Sequence, residues 1–174
     1  MIKLDCNNNL VKQTLINYLE NKNFSLALES DAYFTTIKIH ETEKSICLII
    51  DDYKKEMSIP VDLNFLSSEI SRSIVDINIK INNYNYFPYQ RIVENSNKKG
   101  LLSDIQNKIL SNILLSKEGV DKDILYKKIW KRDKSIHINK LDTHLTNLKK
   151  KLNDELNLSV NFQSYEKKLR LMID

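Results

Sequence analysis

The segment NKLDTHLTNLKKKLND, residues 139–154, concentrates the side chains best suited to recognition chemistry: Lys140, Thr143, His144, Asn147, Lys150 and Lys151. Long cations can reach phosphates, and a carboxamide can pair through two hydrogen bonds with an adenine edge. They can do so together only if one element holds them on a common surface. Leu141, Leu145, Leu148 and Leu152 supply that frame, because spacings of four, three and four fall on one stripe of a 3.6-residue helix. The stripe is the expected core side and the polar set lies on the other faces. A solvated amphipathic helix with no ligand has the same pattern, so the neighbouring elements must decide.

After Asp154 come two short runs, 158–163 and 168–173, in which Val160, Phe162, Leu169, Leu171 and Ile173 alternate with polar residues. That is hairpin patterning, and the tip between the runs carries Lys167 and Lys168. Upstream, Leu102 to Leu115 reads as a helix with Ser103 as N-cap and Ile105, Ile109 and Ile113 along one face. Gly119 allows a break, and Asp121 can cap a second helix, Lys122 to Trp130. The order is helix, turn, helix, loop, helix, hairpin, which is that of a winged helix-turn-helix.

These residues resemble the OmpR/PhoB-type winged-helix DNA-binding domain of bacterial response regulators. The family's Leu-x-x-x-x-Trp signature stands here as Leu125 to Trp130, and its recognition helix as Leu141-Asp142-Thr143-His144-Leu145-Thr146-Asn147-Leu148-Lys149-Lys150-Lys151-Leu152. Asn147 replaces a frequent arginine and Lys149 the usual second one; lysine keeps the charge but loses the planar fork that reads guanine. The wing ends in Lys168-Leu169-Arg170-Leu171 where the family has Gly-Tyr-Arg-Leu. The resemblance implies that Lys140, Thr143 and Asn147 face base edges, and that His144, Thr146, Lys149 and Lys150 hold phosphates. Lys167 and Lys168 would follow the adjacent groove or backbone. Trp130 would aim its indole N–H at a phosphate, or serve simply as a core tryptophan. Lys131, Arg132 and Lys134 occupy the loop that in the family can touch DNA or RNA polymerase.

The family opens this domain with a small antiparallel sheet, and Ile77 to Leu102 fits, with turns at Asn82-Asn83 and 95–100. Tyr84, Tyr86, Phe87 and Tyr89 could stack on single-stranded bases, but aromatics in alternating strands ordinarily pack a core. Before residue 75 the pattern alternates: strand at Ile2 to Leu4, helix at Leu10 to Asn21, strand at Phe24 to Leu28, helix at Ala32 to His40, strand at Ser45 to Ile50, helix at Leu63 to Ile74. This is α/β patterning and resembles a shortened receiver domain, with YKKEMSI left as a polar connection. Receiver phosphorylation needs an acidic pair, an acceptor aspartate and a lysine before the proline. Asp51 stands at the acceptor position, but Cys6 and Asn7 replace the pair and Ile59 the lysine. Little is left to hold Mg²⁺ or neutralise a phosphoryl group, so no phosphorylation is expected.

Charge is uneven. Residues 98–174 hold 17 Lys and Arg against 10 Asp and Glu, a balance of +7, whereas residues 1–97 hold 10 against 13, or −3. A positive lobe attracts phosphate and makes affinity salt-dependent. No run of about 18 apolar residues and no signal-peptide pattern is present, so a cytoplasmic, nucleoid-associated protein is expected. Cys6 and Cys47 read as buried free thiols, and the histidines lack metal-ligand spacing. With only two glycines, Gly100 and Gly119, a phosphate-cradling loop is not expected, nor is a nucleophile elbow or catalytic carboxylate pair.

The fold expected is an α/β domain over 1–74, receiver-like with a short parallel sheet, then an α+β winged helix-turn-helix domain over 75–174 with an N-terminal antiparallel sheet and a C-terminal hairpin wing. The function expected is sequence-specific transcriptional regulation on double-stranded DNA, independent of receiver phosphorylation, with no enzymatic activity, cofactor, metal or membrane partner. The first domain would serve homodimerisation or partner docking. The alternative is an adaptor or architectural DNA-binding protein that contacts RNA polymerase or another regulator.

Overall fold

A computed structural model describes residues 1–22, 24, 26–27, 32–116, 118–130 and 138–173, Ile138 by its backbone alone. The chain divides into two compact units, Met1–Ile77 and Asn78–Asp174.

Unit 1 begins with β1 (Ile2–Cys6) and α1 (Asn9–Asn21). Asn8 caps α1, its Oδ1 accepting from the N–H groups of Leu10 at 2.9 Å and Val11 at 3.1 Å. Then come β2 (Thr35–Glu41), β3 (Ser45–Ile50), β4 (Tyr53–Ser58) and α2 (Leu63–Val75), the last capped by Asp62. The sheet order is β1-β2-β3-β4; β1 and β2 run parallel, while β2, β3 and β4 form antiparallel neighbours.

This corrects the expected short parallel sheet, since only one of its three pairings is parallel. A receiver's parallel strands are joined by crossover helices, whereas β3 and β4 meet through the two-residue turn Asp51-Asp52. The receiver-like reading therefore has no support in the topology. The helix expected over Ala32 to His40 is also corrected: β-branched Thr35, Thr36, Ile37 and Ile39 alternate buried and outward positions, forming β2. Of the strand expected at Phe24 to Leu28, Leu26 makes one parallel bridge to Ile2, and Ser25 and Leu28 lie outside the described residues. The polar run YKKEMS is a strand, β4, with Met57 as its buried residue.

By register, Ile2, Ile37, Ile39, Leu48, Ile50 and Met57 share one face and are buried with Leu15 and Leu19 of α1 and Leu66, Ile70 and Ile74 of α2. The helices lie side by side on that face, Tyr18 meeting Ser71 with Oη to Oγ at 3.3 Å. Glu69 of α2 reaches the same face of β4, bonding the Lys55 ammonium, with Arg72 at 3.5 Å and the Tyr53 hydroxyl donating at 3.2 Å. The Lys55 hydrogen bond holds the Glu69 carboxyl below its ordinary value against an opposing desolvation cost. Because the folded carboxyl binds protons less readily than the unfolded one, its contribution is present above the unfolded value and lost as pH falls through the folded value. Denaturant midpoints should thus fall in acid below the carboxylate range, and Glu69→Gln should flatten that dependence in a pH series of unfolding curves.

Unit 2 opens with an antiparallel meander, β5 (Ile79–Ile81), β6 (Tyr84–Phe87), β7 (Ile92–Glu94) and β8 (Lys99–Leu101). Asn82 turns the first hairpin at φ 54°, a left-handed conformation that asparagine tolerates. Then follow α3 (Asp104–Leu115), β9 (Val120–Asp121), α4 (Lys122–Ile129), α5 (Ile138–Lys150) with a π-helical turn at Lys151–Glu155, β10 (Val160–Tyr165) and β11 (Lys168–Ile173). Ser103 and Gln106 form a capping box on α3, and Asp121 caps α4. β11 pairs with both β10 and β9, giving three helices flanked by a hairpin. This is a winged helix-turn-helix arrangement.

Tyr84 and Tyr86 belong to the core, at 3% and 0% exposure, which removes them from any base-stacking surface. The Tyr86 hydroxyl bonds Asn107 Oδ1 and Ser111 Oγ, each at 2.6 Å, and burial pushes its acidity well down, so it stays a neutral hydrogen-bonding group. The Tyr84 hydroxyl donates to the Leu156 carbonyl. Gly100 admits the Leu156 side chain, whose Cδ2 would lie 2.9 Å from an added Cβ. The meander is thereby fastened to α3 and to the end of the α5 segment.

Candidate nucleic-acid interface

On α5 the leucine stripe is the buried one: Leu141, Leu145, Leu148 and, in the π turn, Leu152 are between 0% and 6% exposed. They pack with Leu110 and Ile113 of α3 and Leu125 and Tyr126 of α4 in one core. Asn139, Lys140, Thr143, Thr146, Asn147 and Lys150 are exposed on the opposite side. The helix is therefore clamped along one stripe and presents a cationic, amide-bearing face along the other.

The end of this helix is tied to the wing. Asn153 Nδ2 donates to the Val160 carbonyl at 3.1 Å, and the Val160 N–H donates to Asn153 Oδ1 at 2.9 Å. Asn157 at φ 56° then lets the chain leave the helical segment, with the Leu158 N–H returning to the Leu152 carbonyl at 2.8 Å. Asn153→Ala removes both side-chain bonds and should cost about 1–3 kcal/mol, measured by urea unfolding, with faster hydrogen exchange at the Val160 amide.

The sequence-selected residues fall into different positions. Lys140 Nζ lies 4.8 Å from the Trp130 ring centroid, and the His144 ring lies 5.6 Å from it on centroids. Trp130 also stacks on Tyr126 at 4.7 Å. The half-buried indole is thus a platform that orients two residues of α5, and its N–H has no hydrogen-bond partner among the described residues. Asn147 and Lys150 likewise have no side-chain partner among the described residues and point to solvent. Thr143 and Thr146 turn their hydroxyl protons back to the Asn139 and Asp142 carbonyls at 2.8 and 2.9 Å; their oxygens remain acceptors. Lys149 is half-buried and donates to Asn161 Oδ1 on β10 at 2.9 Å, so it ties helix to wing before it can meet a phosphate.

The wing tip is the two-residue turn Glu166-Lys167, both with positive φ at 48° and 65°, the type I′ geometry that matches strand twist. Its backbone meets the start of α4, the Lys122 N–H donating to the Lys167 carbonyl at 3.3 Å. Lys167 is exposed with no side-chain partner among the described residues, and Tyr165 beside it is 72% exposed. Lys168 is 3.6 Å from Glu118. Gly119 at φ 88° lies against Arg170, whose Cγ would be 2.7 Å from an added Cβ. Lys131, Arg132, Lys134 and His137 lie outside the described residues.

Several positioning partners were not legible beforehand: Asn153, Asn161, and Lys122, whose ammonium bonds Asp142 at 2.9 Å and neutralises the acid of α5. Asn153 and Asn161 are two asparagines in an asparagine-rich chain, and only the fold singles them out.

In unit 1, Asp51 sits in the β3–β4 turn at φ 47°, accepting from the Thr35 hydroxyl at 2.7 Å. Asn7 bonds the backbone of Glu41 on both its atoms. Cys6 and Cys47 are free and half-buried, less enclosed than expected. Among the described residues no cluster of His, Cys, Asp and Glu could hold a metal, and no helix is long and apolar enough to cross a membrane.

No family model matches the chain, and no curated protein matches it. Among solved structures, the DNA-binding domain of E. coli CadC aligns at 18% identity and a TM-score of 0.46, over 55% of this chain and 91% of that one. The C-terminal domain of the nisin resistance regulator NsrR, a lantibiotic response regulator, aligns at 24% identity and a TM-score of 0.42, over 54% of this chain and 93% of that one.

Proposed function

We propose that this chain is a sequence-specific regulator of transcription that binds double-stranded DNA through unit 2. The observation that carries the reading is the exposed face of α5, with Lys140, Thr143, Asn147 and Lys150 together on a helix clamped by buried leucines and tied through Asn153 and Lys149 to a wing tipped by Lys167. In this reading α5 enters the major groove, where Lys140, Thr143 and Asn147 meet base edges and Lys150 and His144 meet phosphates. Trp130 sets the positions of Lys140 and His144. The wing tip, with Lys167 and Lys168, follows the neighbouring groove or backbone. Unit 1 acts as a docking module, homodimerisation included, and its control does not run through phosphorylation of Asp51, whose carboxylate accepts from the Thr35 hydroxyl of β2.

A second reading is a protein-binding adaptor toward RNA polymerase or another regulator. It draws on the cations already engaged, Lys149 by Asn161, Lys122 by Asp142 and Lys168 by Glu118. Retention on heparin and on a nonspecific duplex separates the two. A DNA-binding chain is held and released as salt rises; passage through both columns at low salt favours the adaptor.

A further inference from the structure

β4 is the outer strand of the unit 1 sheet, paired with β3 on one side and with no described strand on the other. Ile50 and Tyr53 close the two-residue turn, so the alternation of an antiparallel ladder directs the backbone N–H and C=O groups of Lys54, Glu56 and Ser58 off the sheet. β4 has neither proline nor bulge. Its register with β3 is unbroken over six residues. Lysines commonly blunt such an edge, but Lys55 is already bound to Glu69, and Lys54 has Glu56 two residues along on the same face.

We propose that β4 pairs antiparallel with β4 of a second copy of this chain, about a two-fold axis at Lys55, joining two four-stranded sheets into one. This deepens the docking role proposed for unit 1 by naming its occupant and edge. A continuous sheet preserves faces, so each residue meets a same-face residue of the other copy. Lys54 then meets the second copy's Glu56, and Glu56 the second copy's Lys54, at the positions whose backbone groups point outward. Both side chains are exposed. On the helix-bearing face, Tyr53, 38% exposed, meets the second copy's Met57. Lys55 faces its own counterpart with its charge balanced by Glu69. A register centred on Glu56 would oppose two carboxylates and lose both ion pairs. Phe65, 45% exposed, lies on this same side of β4, its ring 4.9 Å from Lys55 Nζ, which adds apolar surface beside the seam.

The test is the mass of the full chain in solution by sedimentation equilibrium, for the native sequence, Lys54→Glu, Glu56→Lys and the double exchange. The native chain should dimerise, each single reversal should weaken association by about tenfold or more, and the double exchange should restore it. Circular dichroism melts should show the single variants folded. A native chain that stays monomeric, dimers indifferent to the single reversals, or a double exchange no better than either single would each overturn the pairing. Heparin retention is scored on the same samples. Its absence alongside charge-sensitive dimerisation would sink the nucleic-acid reading and support β4 pairing.

Discussion

Asn147→Ala should lower affinity for the preferred duplex by about 1–3 kcal/mol, roughly 5- to 150-fold, and relax the preference at one base pair. Asn147 is exposed near the middle of the presented face, and its amide offers a donor and an acceptor together, the pattern complementary to adenine in the major groove. Adding Lys140→Ala should deepen the loss, because Lys140 sits over Trp130 at the start of that face. Lys150→Ala should behave differently, weakening binding to all sequences alike and reducing the slope of log affinity against log salt by about one. Quantitative binding to specific and scrambled duplexes at several salt concentrations separates base reading from phosphate holding. Stability should stay within about 0.5 kcal/mol for Asn147→Ala and Lys150→Ala, since neither side chain supports the core, while Lys140→Ala also gives up its contact with the Trp130 ring, worth about 0.5–1 kcal/mol.

Leu148→Ala should cost about 2–5 kcal/mol of unit 2 stability. Leu148 is fully buried within the cluster that holds α5 against α3 and α4, so its deletion leaves a cavity under the presented face. Because α5 is also fastened to the wing by Lys149 and Asn153, the loss should appear in both elements at once. Chemical unfolding followed by tryptophan fluorescence reads the change directly, as Trp130 is the sole tryptophan. A loss no larger than that of a surface substitution would mean that α5 is not clamped as described.

The meander, the three helices and the hairpin of unit 2 were legible because their signals are local, whereas the short β9 and the π-helical turn were not. Ser103 ahead of α3, Asp121 ahead of α4, and the leucine spacing of α5 each act within a turn or two of chain. Unit 1 was legible only in part, because its outcome depends on distant pairing. Thr35 to Glu41 carries strand alternation, but a helix there completes a familiar α/β rhythm, and that expectation overrode the β-branched residues. β4 was hidden because an outer strand need bury only one side chain, Met57, and otherwise looks like a polar connection. At the candidate interface the residue types could be read, but not their engagement. Whether Lys149 is free or held by Asn161, and Lys168 free or near Glu118, depends on how the hairpin folds back, which no local pattern contains.

The most direct test of the central claim is selection of bound sequences from a pool of random duplexes by the full chain, run beside the Lys140→Ala/Asn147→Ala variant. The reading of α5 as a base-reading helix predicts an enriched motif for the native chain that the variant fails to enrich. Tight, salt-sensitive binding with no enriched motif, or a motif unchanged in the variant, would contradict it.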